Sequence, residues 1–181
     1  MVDISPTFML EKTILRPLVE KDAAAVYSLR SDFDINKYID RPHYNSELEA
    51  LIFIQTTLAK MKLNRMFYWA IVSKSNNQLI GTTCLFSFDS NSNTCELGYE
   101  LLSNFQGKGI MTEVIDQILH IAFDELKLNG VKAYIHYENL ASIKLIQKQN
   151  FELTKEKDEF NVNLFVYYKK SLAPRILKDF S

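Results

Sequence analysis

Cysteine is nearly missing from this chain: Cys84 and Cys95 are its only two, with no Cys-x-x-Cys and no Cys/His metal spacing. They fall in two neighbouring strand-like runs and read as reduced, half-buried thiols of a cytoplasmic protein, with a disulfide or a reactive thiol as the alternatives. The three histidines, His43, His120 and His136, are not grouped as metal ligands. No basic segment followed by an apolar run opens the chain, so Met1 to Glu11 does not read as a signal peptide. No window approaches the about 18 consecutive apolar residues that a membrane span requires. Neither charge sign is in excess: 21 Lys and Arg face 22 Asp and Glu, a formal net charge of -1. That leaves no electrostatic footprint for nucleic acid, and the nearest basic patch (Lys148, Lys155, Lys157) is diluted by Glu152 and Glu156. Internal repeats, low-complexity tracts and Pro/Gly-rich linkers are absent too. The expectation is one domain over residues 1–181, with a core of about 11–170 and a short tail over 171–181.

What is present is an ordered alternation of patterns. Thr13 to Leu18 reads as a strand ended by Pro17, and Asp22 opens a helix with Ala24, Val26, Tyr27 and Leu29 on one face. Ser46-Glu47-Leu48-Glu49 is a capping box, starting a helix to about Lys62 whose apolar face is expected at Leu48, Leu51, Ile52, Gln55 and Leu58. From Met66 the period changes to that of strands. Phe67 to Ser73, Leu79 to Phe88 and Thr94 to Leu102 form an antiparallel meander broken by polar turns. A helix from Ile110 to Leu126 follows, with Ile110, Val114, Ile118, Ile121 and Ala122 on one stripe. Val131 to Tyr137 is a strand, Ala141 to Gln149 a helix, and Phe151 onwards and Leu164 to Lys169 the last strands. The order predicts an α/β (α+β) domain with a mixed central sheet of about seven strands and helices on both faces.

The most informative stretch is Gln106-Gly107-Lys108-Gly109-Ile110-Met111-Thr112-Glu113, at a strand-to-helix seam. Two glycines permit close backbone approach, and a helix N-terminus presents unpaired N–H groups with partial positive charge, so the segment is a cradle for an anion. It is neither a Walker A loop nor a three-glycine dinucleotide fingerprint.

Around it the residues resemble the GNAT (Gcn5-related) N-acetyltransferase superfamily, most closely its RimJ/RimL-type branch. The Gln-x-x-Gly-x-(Gly/Ala) signature falls on Gln106, Gly109 and Met111. The branch's Glu-x-Gly-Tyr-x-Leu, Gln-Gly-Lys-Gly and Thr-Glu are matched by Glu96, Gly98, Tyr99, Leu101, Gln106 to Gly109, Thr112 and Glu113. Its Asn-x-x-Ser motif and the Gly-Phe that ends the next helix look like Asn139, Ser142 and Asn150-Phe151. Met111 stands where a small residue is usual, and Asn150 where glycine is usual; asparagine is the next best residue for a left-handed helix end. The resemblance implies acetyl-CoA as donor. Its pyrophosphate would be held by N–H groups at Gln106, Gly107, Lys108, Gly109, Ile110, Met111 and Thr112. Its pantetheine arm would bond unpaired backbone near Tyr99, Leu101 and Leu102 and the side chain of Asn139. Homodimers are frequent in the family, so a homodimer is a possible assembly.

The chemistry requires a neutral amine to attack a thioester. Near pH 7 an α-amine is roughly 10% neutral and lysine under about 0.1%, so a modest base suffices for a peptide N-terminus. Strand alternation puts Glu96, Gly98 and Glu100 on one face, and Glu96 is the first candidate base, Glu100 the second. Ser142 resembles the branch's leaving-group acid, although Asn139 and Ser142 are also preferred N-cap residues. Tyr137 is a lesser candidate acid. His120 is expected to be structural, and His136 stands near the site. The acceptor is expected to be a peptide or protein α-amine. A polyamine, aminoglycoside or amino acid is the alternative, and a non-catalytic CoA-binding sensor the alternative of another class.

Overall fold

The computed structural model describes residues 6–158 and 160–172. Eight strands form one sheet: β1 (Phe8–Met9), β2 (Thr13–Pro17), β3 (Phe67–Ser73), β4 (Leu79–Asp89), β5 (Thr94–Leu101), β6 (Gly130–His136), β7 (Glu152–Lys157) and β8 (Leu164–Lys170). Their order across the sheet is β1-β2-β3-β4-β5-β6-β8-β7. Five helices accompany them: α1 (Ala23–Ser31), α2 (Phe33–Asn36), α3 (Glu47–Lys62), α4 (Ile110–His120) and α5 (Leu140–Lys148). The seven expected strands are all present, and the eighth is the two-residue β1. The tail proposed from residue 171 falls, beyond Leu172, outside the described residues. Among the described residues, no helix is long and apolar enough to cross a membrane.

The sheet divides the apolar residues into two cores by simple alternation. Along β3, Phe67, Trp69 and Ile71 join the core beneath α4, while Tyr68, Ala70 and Val72 join the one beneath α1 and α3. Every residue of β3 is buried, which is why it reads as an unbroken apolar run. Cys84 and Cys95 are free, and alternation places them on opposite faces of the sheet, which rules out a bridge between them.

Three expectations need correction. In α3 the buried positions are Ala50, Ile54 and Thr57, whereas Leu48 and Ile52 are 63% and 53% exposed and Gln55 bonds Glu20 at the surface. Two stripes of helical spacing compete in that sequence. The one with small Ala50 and β-branched Ile54 and Thr57 packs against α1. The capping box closes only by half: the Ser46 hydroxyl accepts the Glu49 N–H at 3.4 Å, but the Glu49 carboxylate accepts the Asn45 N–H, one residue earlier than expected. The long helix after the glycines is α-helical only to His120. It then widens into one π-helical turn, Ile121–Glu125, closed by Leu126 N–H to the Ile121 carbonyl at 2.9 Å. His120 is therefore exposed near a helix end, paired with Asp124 at 2.8 Å.

Candidate active site

The site begins where two strands part. β5 and β6 are parallel and paired at Thr94/Gly130, Cys95/Val131 and Glu96/Lys132, and nowhere beyond. Both strands continue, β5 to Leu101 on its bonds to β4 and β6 to His136 on its bonds to β8, so they diverge as a V. Backbone groups of Leu97 to Leu101 and Ala133 to His136 face that opening. A cavity of about 790 Å³ runs through it, lined by Glu96, Gly98 and Glu100 on one sheet face and by Tyr99 and Ser142 on the other.

At one end of the cavity lies the glycine turn. Gly107 and Gly109 have φ of 71° and 76°, the left-handed region that glycine enters without strain, and Gly109 caps α4. The N–H groups of Gly107, Lys108 and Gly109 have no acceptor among the described residues, and those opening α4 lack intrahelical partners. Gln106 supports the turn by donating from Nε2 to the Leu101 carbonyl at 2.9 Å. From outside, Lys12 clasps it: its ammonium donates to the Lys108 carbonyl at 3.1 Å and its N–H to the Glu113 carboxylate at 3.2 Å. Met111 fits because its side chain is 7% exposed and packed in the α4 core, leaving its backbone to the turn. Ile110 is buried with it, and both, with Thr112, line the cavity. Lys108 does not line the cavity; its ammonium stands over the Phe105 ring at 5.5 Å. Lys144 and Lys148 of α5, which sequence reasoning missed, line that end instead. Leu102 packs against both cores, away from the cavity.

Asn139 is the N-cap of α5, its carboxamide oxygen accepting the Ser142 N–H at 3.1 Å. The capping role is thus occupied, and both residues still line the cavity. Asn150 at the other end of α5 takes a φ of 58°, the left-handed conformation anticipated for it.

The strand face prediction holds, and it separates the two carboxylates. Glu96 is half-buried; burial pushes its carboxyl above the ordinary carboxylate value, against the Ser87 side chain and Lys132, which pull it down. Ser87 is itself a bulge residue with φ of 49°, strain of a kind that collects at functional sites. Glu100 is far more enclosed, its side chain 4% exposed. One of its oxygens is ion-paired with Arg41 and the other accepts the Thr82 hydroxyl at 2.7 Å. Tyr68 bonds Thr82 at 2.8 Å, and Arg30 donates to Tyr68 at 3.4 Å, so a buried polar chain fixes Glu100. Sequence reasoning missed Arg41, Thr82 and Arg30. Alternation could have put Thr82 opposite Glu100 once the register was known, but nothing local marks Arg41.

On the far face the Tyr99 hydroxyl is buried without a hydrogen bond. Burial pushes its phenol up to about 12, while Ser142 beside it pulls the other way without closing a bond. His136 lines the cavity, its Nδ1 accepting the Glu138 N–H at 3.2 Å, and its ring stacks on Tyr137. Tyr137 and His43 do not line the cavity. Cys84 does, and burial raises its thiol to about 12. Among the described residues, no cluster of His, Cys, Asp or Glu could hold a metal ion.

An anion cradle, a strand gap suited to an extended amide-rich arm, and a half-buried carboxylate opposite a buried phenol and hydroxyl make a site for acyl transfer to an amine. Known proteins agree with that chemistry. The chain is 27% identical over 147 residues to the uncharacterized N-acetyltransferase YoaA of Bacillus subtilis (strain 168), covering 81% of this chain and 83% of that one. It is 27% identical over 172 residues to the uncharacterized N-acetyltransferase p20 of Bacillus licheniformis, covering 93% and 97%. The crystal structure of ribosomal-protein-S5-alanine acetyltransferase from Vibrio fischeri superposes with a TM-score of 0.78 at 21% identity, over 92% of this chain and 97% of that one. The acetyltransferase (GNAT) domain family matches residues 12–152, and the chain belongs to it.

Proposed function

We propose that this protein is an acetyl-CoA-dependent N-acetyltransferase of RimJ/RimL type that passes acetyl directly to a peptide or protein α-amine. The observation that carries the reading is the cavity through the β5/β6 gap, with Glu96 on one face and Tyr99 with Ser142 on the other. Acetyl-CoA, when bound, supplies a thioester carbonyl. The N–H groups of the turn from Gly107 to Thr112 receive the donor's pyrophosphate, with Lys144 and Lys148 adding positive charge. The open edges of β5 and β6 bond its amide-rich arm, and Asn139 stands at the same wall.

Glu96 takes the proton of the acceptor ammonium, directly or through a water. The nitrogen then bonds to the carbonyl carbon, the C–S bond breaks, and the thiolate takes a proton from Ser142 or Tyr99, which is restored by the second proton that the nitrogen releases as it becomes the neutral amide. Glu96 suits the base role because a desolvated carboxyl holds a proton more readily than a solvated one. Glu100 suits it less, since both its oxygens are engaged by Arg41 and Thr82. Tyr99 stays protonated at neutral pH and so keeps a proton to donate.

The test is acetyl-CoA turnover with a panel of α-amine peptides, lysine peptides, polyamines and amino acids, read by mass spectrometry of the product. Acetylation of an α-amine is expected. CoA release no faster than hydrolysis with every amine would remove the catalytic reading and leave a CoA-binding module.

A further inference from the structure

Arg41 has more hydrogen-bonding capacity than its protein partners use. It lies between α2 and α3, and its Nε donates to Asn36 Oδ1 at 2.7 Å. Asn36 is itself buried, its amide donating to the Leu29 carbonyl at 2.9 Å, so the guanidinium is clamped from the α1–α2 side. One N–H of Nη2 reaches Glu100. A guanidinium carries five N–H donors, and the other three of Arg41 find no acceptor among the described residues, although the side chain is only 16% exposed. A residue serving only as counter-ion to Glu100 would present its two-pronged fork. Here Thr82 holds the second carboxylate oxygen, and Arg41 keeps its remaining donors in the cavity wall.

A second guanidinium shares the inner wall around it. Arg30 lines the same cavity, packed on the Phe53 ring at 3.6 Å, with its Nε buried and unpartnered. Two guanidinium groups thus face one buried carboxylate, Glu100. Glu96 stands four residues along the same strand face, and the other acids of this end, Asp34 and Asp40, are exposed at the mouth and screened by water. The donors without a protein partner, Arg30 Nε in the buried wall and those of Arg41 along the cavity, favour a ligand that supplies oxygens.

From these observations we propose that the acceptor is an amine carrying an anionic group, a carboxylate or phosphate, which Arg41 binds. The inference rests on the acetyltransferase reading above and names its acceptor class. Strand β5 sets the spacing. Gly98 lies midway between Glu96 and Glu100, and it is the one position of that face without a side chain; an added Cβ would stand 2.9 Å from Cys84 Sγ. An amine over Gly98, within reach of Glu96, is about two strand residues, roughly 7 Å, from the group that Arg41 holds beside Glu100. That span suits a peptide α-amine with Asp, Glu or a phosphorylated residue in second position, or a small amine with the same separation.

The experiment compares kcat/KM for isosteric peptides with Glu, phosphoserine, Gln, Ser or Lys in second position, and for 5-aminovalerate against 1-aminopentane. The anionic members are expected to be better by roughly ten- to hundred-fold, the scale of a charge-assisted hydrogen bond. The peptide and small-amine arms identify the source, and the glutamate and phosphoserine arms identify the anion. In Arg41→Gln the ratio of anionic to neutral acceptor should fall to near one, Arg41→Lys should keep part of it, and Arg41→Glu should favour the lysine peptide. These are ratios within one protein, so a loss of folded protein does not alter them. Equal kcat/KM for anionic and neutral isosteres in the wild-type protein overturns the proposal alone. Absence of acetylation with every amine overturns it together with the reading on which it rests.

Discussion

Glu96 and Glu100 are four residues apart on one strand face and differ in almost everything else. Glu96 is half-buried, and burial raises its carboxyl, so its charged form is the one disfavoured by folding. A carboxyl whose folded pKa is raised contributes stability only at low pH, and that contribution is lost as pH rises through the folded value. At neutral pH the charge of Glu96 is thus a burden on the fold. Glu96→Gln should unfold at the same temperature or higher, with kcat/KM lower by about 10²- to 10⁴-fold. The acid limb of the rate profile, displaced to the alkaline side of an ordinary carboxylate, should disappear with it. Glu100→Gln should do the opposite to the fold: it strands Arg41 in a buried ion pair and should destabilise by about 3–5 kcal/mol. Denaturant unfolding and pH–rate profiles of the two variants check both statements. A rate profile of Glu96→Gln identical to wild type would remove Glu96 from the mechanism. Period-two alternation was enough to read the shared face of these acids from the chain. Their difference was not legible, because it comes from Arg41, 59 residues from Glu100 in sequence.

At the scale of elements, legibility depended on whether one local pattern competed with another. The glycine turn had no competitor: two glycines before an apolar helix stripe fixed both the left-handed backbone and the start of α4. Helix α3 did have one, because Leu48, Ile52 and Gln55 repeat at helical spacing just as Ala50, Ile54 and Thr57 do, while Leu58, also expected on the first stripe, packs with the second. The face that packs is decided by what α1 and β3 present, which the α3 sequence does not contain. The consequence is measurable. Ile54→Ala should cost about 2–5 kcal/mol, as for a fully buried aliphatic chain. Leu48→Ala and Ile52→Ala, on the exposed side, should stay within about 0.5 kcal/mol of wild type. Urea unfolding of the three variants decides it, and a Leu48→Ala loss as large as that of Ile54→Ala would reverse the assignment of the two faces. The splay of β5 from β6 was likewise not written in either strand. It arises because β6 follows β8 and β5 follows β4, two partners that diverge.

For the whole molecule, the gap in the sheet is a local weakness that a ligand can close. Leu97 to Leu101 and Ala133 to His136 leave backbone groups facing the opening, where sheets elsewhere satisfy them with a neighbouring strand. An extended donor lying in the gap would supply those bonds, and the turn from Gly107 to Thr112 would gain its anion. Acetyl-CoA at about 100 times its Kd should then stabilise the fold by about 2.7 kcal/mol. For a domain of this size that is a rise in Tm of roughly 5–10 °C. Hydrogen exchange gives the sharper test, because global stabilisation slows only amides that open by full unfolding. Amides of the gap edges and of the first turn of α4 open locally, and their protection should grow beyond the global increase. Those of β3, paired with β2 on one side and β4 on the other, should grow only with it. A protein stabilised by acetyl-CoA with the added protection spread evenly over the sheet would mean that the donor does not lie in the β5/β6 gap.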